Sequence, residues 1–442
     1  MKIGLIAMSG VRAYNKELTE LGLTLPGFVE RNKIIASLPS LGLITLAALT
    51  PDDFDIEYIE ISDIKDINEL PGPFDIVAIS TYSAQIFEAY ELADRYSHIG
   101  VTTVIGGPHV TSLPEEAKEH CNSVVIGEGE AVWKDLLEDF KNGQLKPYYT
   151  SFDKEFDLKD APMPRFDLLD PNKYNRLTVQ TSRGCPHKCE FCAASILISH
   201  KYKQKPAQKI LEEIREIKKF WERPFIEFAD DNTFVNKAYW KELLKELRNE
   251  KIKWFTETDV SVAEDDELLT LMRESGCQQV LIGFESPVKK DLEGIELINN
   301  WKSDQIKKYK QAIKKIQSYG ITVNGCFILG LDSQDKSIFD NVFKFIKDTC
   351  LYEVQITILT AFPGTPLYER LVAEKRVIEP GDWEKCTLFD VNYYPKNMTV
   401  KELEIGFRDL AEKLYCAEFT EYRRSHYKKQ LKEYLREIKA DN

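Results

Sequence analysis

The sequence has no long hydrophobic run. Its most apolar stretch, near Leu41 to Leu49, falls well short of the roughly 20 residues that cross a bilayer, so no membrane span is expected. Positive charge is also scarce: 59 Lys plus Arg stand against 72 Asp plus Glu, a formal charge of −13. Such a field repels polyphosphates and disfavours nucleic acid as a partner. Met1 to Met8 is strand-like, with no small-residue cleavage site after an apolar core, so no secretory signal is read and a cytoplasmic location is expected. With 22 Gly and 19 Pro, collagen-like and low-complexity classes are excluded. Nine Cys in 442 residues, three of them within eight positions, do not form a disulfide framework, and a reducing compartment leaves them free to bind metal.

What is present is alternation. Strand candidates at Lys2 to Ala7, Ile56 to Ile61, Ile76 to Ser80, Thr102 to Ile105 and Ser123 to Ile126 are separated by helical periodicity, which predicts a parallel Rossmann-like sheet over residues 1–143. Residues 144–176, with Pro147, Pro162, Pro164 and Pro171, read as a linker. Six further strands follow over 177–368: Leu177 to Ser182, Phe225 to Ala229, Lys253 to Val260, Gln279 to Glu285, Thr322 to Leu329 and Val354 to Thr360. Among the intervening helices, Ala207 to Phe220 should carry Glu213 and Lys218 on a charged outer face.

Consecutive βα units fit a partial barrel as well as an open sheet, and the strand pattern favours the barrel. Thr322, Asn324 and Cys326 share one face of their strand, and Gln355 and Thr357 share one face of the next, as a lumen holding a polar ligand would require. Residues 369–442 form a mixed, mainly helical region; in it Trp383, Phe389, Tyr393 and Tyr394 are candidates for an apolar pocket or, for most of them, core.

Cys185, Cys189 and Cys192 lie in Ser182-Arg-Gly-Cys-Pro-His-Lys-Cys-Glu-Phe-Cys192, directly after the barrel's first strand. Three thiolates on a Gly/Pro loop can wrap one corner of a [4Fe–4S] cube and leave its fourth iron open to a substrate. The competing reading, structural zinc, needs a fourth ligand from His187 or a distant Cys. Cys326, on the lumen side, is either a hydrogen donor or a small buried hydrophobe. The other five Cys are scattered and carry no assigned chemistry.

The Cys-x3-Cys-x-aromatic-Cys pattern, with Phe191 as the aromatic, resembles the signature of radical S-adenosylmethionine (SAM) enzymes over about residues 175–370. The resemblance implies that SAM chelates the open iron and that an electron from the cluster cleaves it to a 5′-deoxyadenosyl radical. It also implies that Glu257, in Phe255-Thr-Glu-Thr-Asp259, and Glu285, in Gly283-Phe-Glu-Ser286, touch SAM. Asp230 or Asp231, in Ala229-Asp-Asp-Asn232, stands where relatives hold the SAM amino group, although the Gly-Gly-Glu form is absent. For each of these carboxylates a helix cap or loop charge is the alternative. Phe362-Pro-Gly-Thr-Pro366 resembles a further radical SAM element or is a tight turn.

The amino-terminal sheet placed before this barrel resembles the cobalamin-dependent (B12-binding) branch. The matching residues are Ser80-Thr81-Tyr82, Gly106-Gly107-Pro108 and Gly127-Glu128-Gly129, at the carboxyl ends of three parallel strands, where open sheets bind ligands. The loop Met8-Ser-Gly-Val-Arg-Ala-Tyr14 has no Asp-x-His-x-x-Gly element, so the resemblance implies a cobalt without a histidine from that loop. His109 is a conceivable contact or a local hydrogen-bonding residue.

With both cofactors the resemblance implies C-methylation of an unactivated carbon. The carboxyl-terminal region is similar to that of hopanoid and bacteriochlorophyllide C-methyltransferases, so a small, lipid-like or tetrapyrrole substrate and a flavodoxin- or ferredoxin-type electron donor are expected. A non-methylating radical cyclisation, coupling or rearrangement is the second reading. A cobalamin- or cluster-binding regulatory module is the third.

Overall fold

Strand β1 (Lys2–Met8) has apolar residues facing both sides of its sheet, and both sides are buried, as a central parallel strand requires. The computed structural model describes residues 1–9, 13–15, 17–18, 38–194 and 201–441; residues 10–12 of the Met8–Tyr14 loop lie outside the described residues. β1 pairs in parallel with β2 (Asp55–Ile61) and β3 (Ile76–Ser80); β4 (Thr102–Gly106), β5 (Ser123–Ile126) and β6 (Tyr148–Thr150) follow in line. The order β2-β1-β3-β4-β5-β6 reverses direction at β1/β3, the switch point at whose carboxyl edge such sheets bind ligands. β6 falls within the stretch 144–176 expected to be linker, and its Tyr149 is buried on the first sheet's core.

The second sheet runs β7 (Leu177–Val179), then, beyond the short antiparallel ribbon β8 (Ser182–Arg183) and β9 (Lys203–Gln204), β10 (Phe225–Phe228), β11 (Lys253–Thr258), β12 (Cys277–Glu285), β13 (Thr322–Leu329) and β14 (Glu353–Ile358). These six strands are parallel and neighbour one another in chain order, the arrangement of a partial βα barrel. The ribbon β8/β9 brackets the cysteine loop.

Helix Leu41–Leu49 explains its own composition. Leu43 and Ala47 pack into the first sheet's core while Ile44 packs into the barrel's, so the helix is apolar all round because it sits between two bodies. The Glu213 expectation fails. Glu213 is 1% exposed and pairs with the equally enclosed Lys205 at 2.7 Å. A charged residue in a helical stripe reads as solvated unless a cation from elsewhere in the fold is delivered to it. Trp383, Phe389 and Tyr393 are core; Tyr394 is half exposed.

Candidate functional site

A cavity of about 920 Å³ runs from the carboxyl edge of the first sheet into the barrel lumen. At its first-sheet end it is lined by Ser80, Tyr82, Gly106, Gly107, Pro108, Gly127, Glu128 and Gly129, the strand ends picked out from the sequence. Thr81 is instead turned inward and 1% exposed. A Cβ at Gly107, where φ is +128°, would stand 2.5 Å from the Thr81 carbonyl oxygen, so only glycine lets these two loops close on each other. At this end of the cavity Gln85 donates to the Ser9 carbonyl at 2.9 Å, while its buried Oε1 has no partner among the described residues. A wide glycine-floored surface with a waiting acceptor fits a large flat macrocycle carrying amide N–H groups. His109 is fully buried, held by Ser83 at 3.0 Å and Glu116 at 3.2 Å, and is a local hydrogen-bonding residue.

The cysteine loop is fixed from three directions. At its start, Gly184, with φ +86°, comes so close to the Lys201 carbonyl that a Cβ would stand 2.5 Å from the oxygen, and its N–H donates to Asp231 Oδ2 at 2.9 Å. In its middle, Leu297 N–H reaches the Lys188 carbonyl at 2.8 Å, and Glu190 N–H reaches the Ile295 carbonyl at 2.9 Å. On the far side, the Phe362-Pro-Gly-Thr-Pro366 turn places Thr365 as the cap of helix Pro366–Ala373. That helix docks Leu367 N–H on the Glu190 carbonyl at 3.0 Å and forks Arg370 onto the Glu190 carboxylate at 2.6 and 3.0 Å. His187, the possible fourth zinc ligand, is turned toward Asp259 and Glu296 at 3.4 and 3.3 Å.

All three cysteines are unbridged, Cys189 being the most buried of them. Burial pushes the Cys185 thiol up to about 11 and Cys189 higher still. Thiols so placed ionise when a metal takes them, and three soft donors on one pinned loop have the chemistry that iron–sulfur binding calls for, although among the described residues no three His, Cys, Asp or Glu side chains are gathered closely enough to hold a metal ion. Phe191 is half-buried against the barrel core.

The carboxylates divide into two kinds. Asp230 accepts the N–H groups of Thr181 and Ser182 at 2.7 and 2.9 Å, and the Thr181 hydroxyl as well, so it builds the turn between β7 and β8 rather than facing a ligand. Asp231 and Glu257 face the cavity. Burial, then the neighbouring Glu227, Asp231 and Glu285 carboxylates, push the Glu257 carboxyl up to about 8. Glu285 is outside the cavity lining and ion-pairs with Lys302 at 2.7 Å. Glu128 lines the cavity with its carboxylate committed to Arg183 and Lys203. On the lumen wall, Asn324 and Gln355 face the cavity, and Asn324 Oδ1 is buried with no partner among the described residues. Cys326 lies beside them outside the lining, its thiol raised by burial and by Glu285 and Glu257.

Gln85, Arg183 and Lys302 were missed from sequence. The only hint for Arg183 is its place two residues before Cys185.

The B12 binding domain model matches residues 32–137 and the Radical SAM superfamily model residues 179–346. The chain is 28% identical to bacteriochlorophyllide d C-12(1)-methyltransferase of Chlorobaculum tepidum, covering 86% of this chain and 83% of that protein. It is 26% identical to hopanoid C-2 methylase of Rhodopseudomonas palustris, covering 79% and 67%. The solved structure of the radical S-adenosylmethionine methyltransferase TsrM from Kitasatospora setae, with cobalamin and a [4Fe-4S] cluster bound, shares the fold. Its TM-score is 0.67 at 13% identity, over 94% of this chain and 89% of that one. Among the described residues no helix is long and apolar enough to cross a membrane.

Proposed function

We propose, for a chain that is a radical SAM enzyme with a B12-binding domain, that it methylates an unactivated carbon of a small, lipid-like or tetrapyrrole metabolite. The observation that carries this reading is the single cavity shared by the glycine loops of the first sheet and the lumen of the barrel. A methyl donor seated at one end and a hydrogen-abstracting centre at the other would reach one substrate carbon without releasing it. When bound, the cluster with SAM supplies the hydrogen-abstracting radical and the corrinoid supplies the methyl group.

The residues have distinct tasks in this reading. Cys185, Cys189 and Cys192 hold the cluster; Asp231 and Glu257 meet the cationic part of SAM; Asn324 and Gln355 offer hydrogen bonds in the lumen. Ser80, Tyr82, Gly106, Gly107, Pro108, Gly127 and Gly129 seat the corrinoid, with Gln85 accepting from one of its amides. Leu46, Phe362 and Leu388 give the cavity an apolar wall that would exclude water around a radical. A flavodoxin- or ferredoxin-type protein would deliver the electron, and the cytoplasm would supply it.

Anaerobic reconstitution with and without cobalamin, followed by mass analysis, tests this. The expected result is a product heavier by one CH2, with S-adenosylhomocysteine formed only when cobalamin is present. Formation of 5′-deoxyadenosine with no mass gain would instead mark a radical cyclisation or rearrangement, and binding without any SAM cleavage a regulatory module.

A further inference from the structure

Both rails of the ribbon that brackets the cysteine loop are gripped by the other domain. Arg183 on β8 and Lys203 on β9 are register partners. Arg183 Nη1 donates to Glu128 Oε1 at 2.8 Å and Lys203 Nζ to Glu128 Oε2 at 2.7 Å, while Arg183 Nη2 donates to Glu130 Oε1 at 2.8 Å. None of the four side chains is more than 14% exposed. Burial would raise the Glu130 pKa, and Arg183 outweighs that, keeping the carboxylate ionised.

The two glutamates belong to the loop after β5, whose Gly127 and Gly129 line the first-sheet end of the cavity. That loop is stiff. Gly127 N–H donates to Thr111 Oγ1 at 3.0 Å and Glu128 N–H to Ser151 Oγ at 2.7 Å. A ligand pressing on its glycines therefore moves, or locks, the carboxylates that hold the ribbon, and packed charged contacts pass such shifts on as discrete states.

We propose that Glu128 and Glu130 are positioning residues for the cluster loop, acting through Arg183, 55 residues after Glu128, and Lys203, and that corrinoid binding at the first sheet is thereby linked energetically to cluster assembly. This rests on the reading that both cofactors bind. Linkage is reciprocal, so each cofactor raises the affinity for the other by the same factor.

The test is anaerobic absorbance titration of the full chain with hydroxocobalamin, with and without the reconstituted cluster. The wild-type protein should bind at least about fivefold more tightly when the cluster is present, the lower end of common coupling factors. Glu128→Gln/Glu130→Gln should bring that ratio to one, and Arg183→Lys, which keeps the charge and loses the fork, should retain part of it. Comparing two states of the same variant cancels any uniform loss of folding. If the double variant does not fold, Lys203→Gln, which removes one tie of the ribbon, should still lower the ratio. Equal wild-type affinities, or a ratio unchanged in the variants, overturn the proposal. Absence of cobalamin binding to the wild-type protein overturns the proposed function itself, whereas binding without linkage overturns only this inference.

Discussion

Lys302 Nζ donates to Glu285 Oε1 at 2.7 Å and to the Gly283 carbonyl at 3.1 Å, placing an enclosed cation near Cys189 of the cysteine loop. Glu285 carries φ +59°, unusual for a side chain with a Cβ, at the point where β12 loses register with β13. Burial would lower the Lys302 pKa, and the Glu285 carboxylate outweighs it, so the net shift is upward. The pair fixes the end of the fourth barrel strand, next to the wall where Glu257 and Asn324 face the cavity.

Removing only one member of this pair should be costly. Lys302→Met leaves a buried carboxylate uncompensated, which typically costs about 3–5 kcal/mol, whereas Lys302→Met/Glu285→Gln removes both charges and should recover much of it. Urea unfolding of the two variants and of Glu285→Gln completes the cycle. A double variant whose loss equals the sum of the losses in Lys302→Met and Glu285→Gln would show that the two charges do not interact.

Much of this was legible in the chain because it rests on local pattern. The strands Ile76–Ser80, Ser123–Ile126 and Thr322–Leu329 have the bounds expected, since β-branched runs between helical stripes leave little else to form. The cysteine loop stood out in the sequence because three thiols within eight residues are a local pattern. What stayed hidden depends on partners brought from a distance. Asp230 stands directly beside Asp231 in sequence, yet it folds back on Thr181, 49 residues earlier, while Asp231 meets the cavity. Glu213 looks solvated until Lys205 is placed against it. Glu128 sits in a glycine-rich ligand loop, and only the docking of two domains delivers Arg183 and Lys203 to it.

The cysteine assignment predicts that Cys185→Ala/Cys189→Ala/Cys192→Ala abolishes iron binding and all SAM cleavage after anaerobic reconstitution. The first sheet should survive, because among the described residues its core shares no side chain with the cysteine loop. Iron analysis and 5′-deoxyadenosine detection read the first effect and circular dichroism the second. Retained cleavage would refute the assignment.

Gly107→Ala should damage the first-sheet end of the cavity selectively. The added Cβ meets the backbone oxygen of Thr81 at 2.5 Å, in a region of φ that strains any side chain. A loss of ~2 kcal/mol in stability is expected, with cobalamin affinity falling by about tenfold and cluster iron content near wild type. Gly100→Ala makes a useful contrast, because Gly100 also has a positive φ, +82°, but nothing lies within 4 Å of its Cβ, so it carries the backbone strain without the clash. Equal effects at the two positions would argue against the rigid Thr81–Gly107 approach as the cause.

Glu257 gives a pH signature. An unfolded glutamate titrates near ~4.3, and in the folded protein this one is pushed up to about 8. Between those values the folded state holds more protons than the unfolded, so this group makes stability fall as pH rises, and the fall ends once pH passes 8. The side chain opens onto the cavity, where water screens it, so the effect should amount to no more than a few degrees of Tm. Thermal melts of the cofactor-free protein from pH 6 to 9, compared with Glu257→Gln, isolate it: the wild-type curve should slope downward relative to the variant. A cationic ligand at Glu257 stabilises the carboxylate, so SAM binding near neutral pH should release a proton, read as a buffer-dependent heat in calorimetry that Glu257→Gln removes. Parallel melting curves together with buffer-independent heats would place Glu257 outside the SAM site.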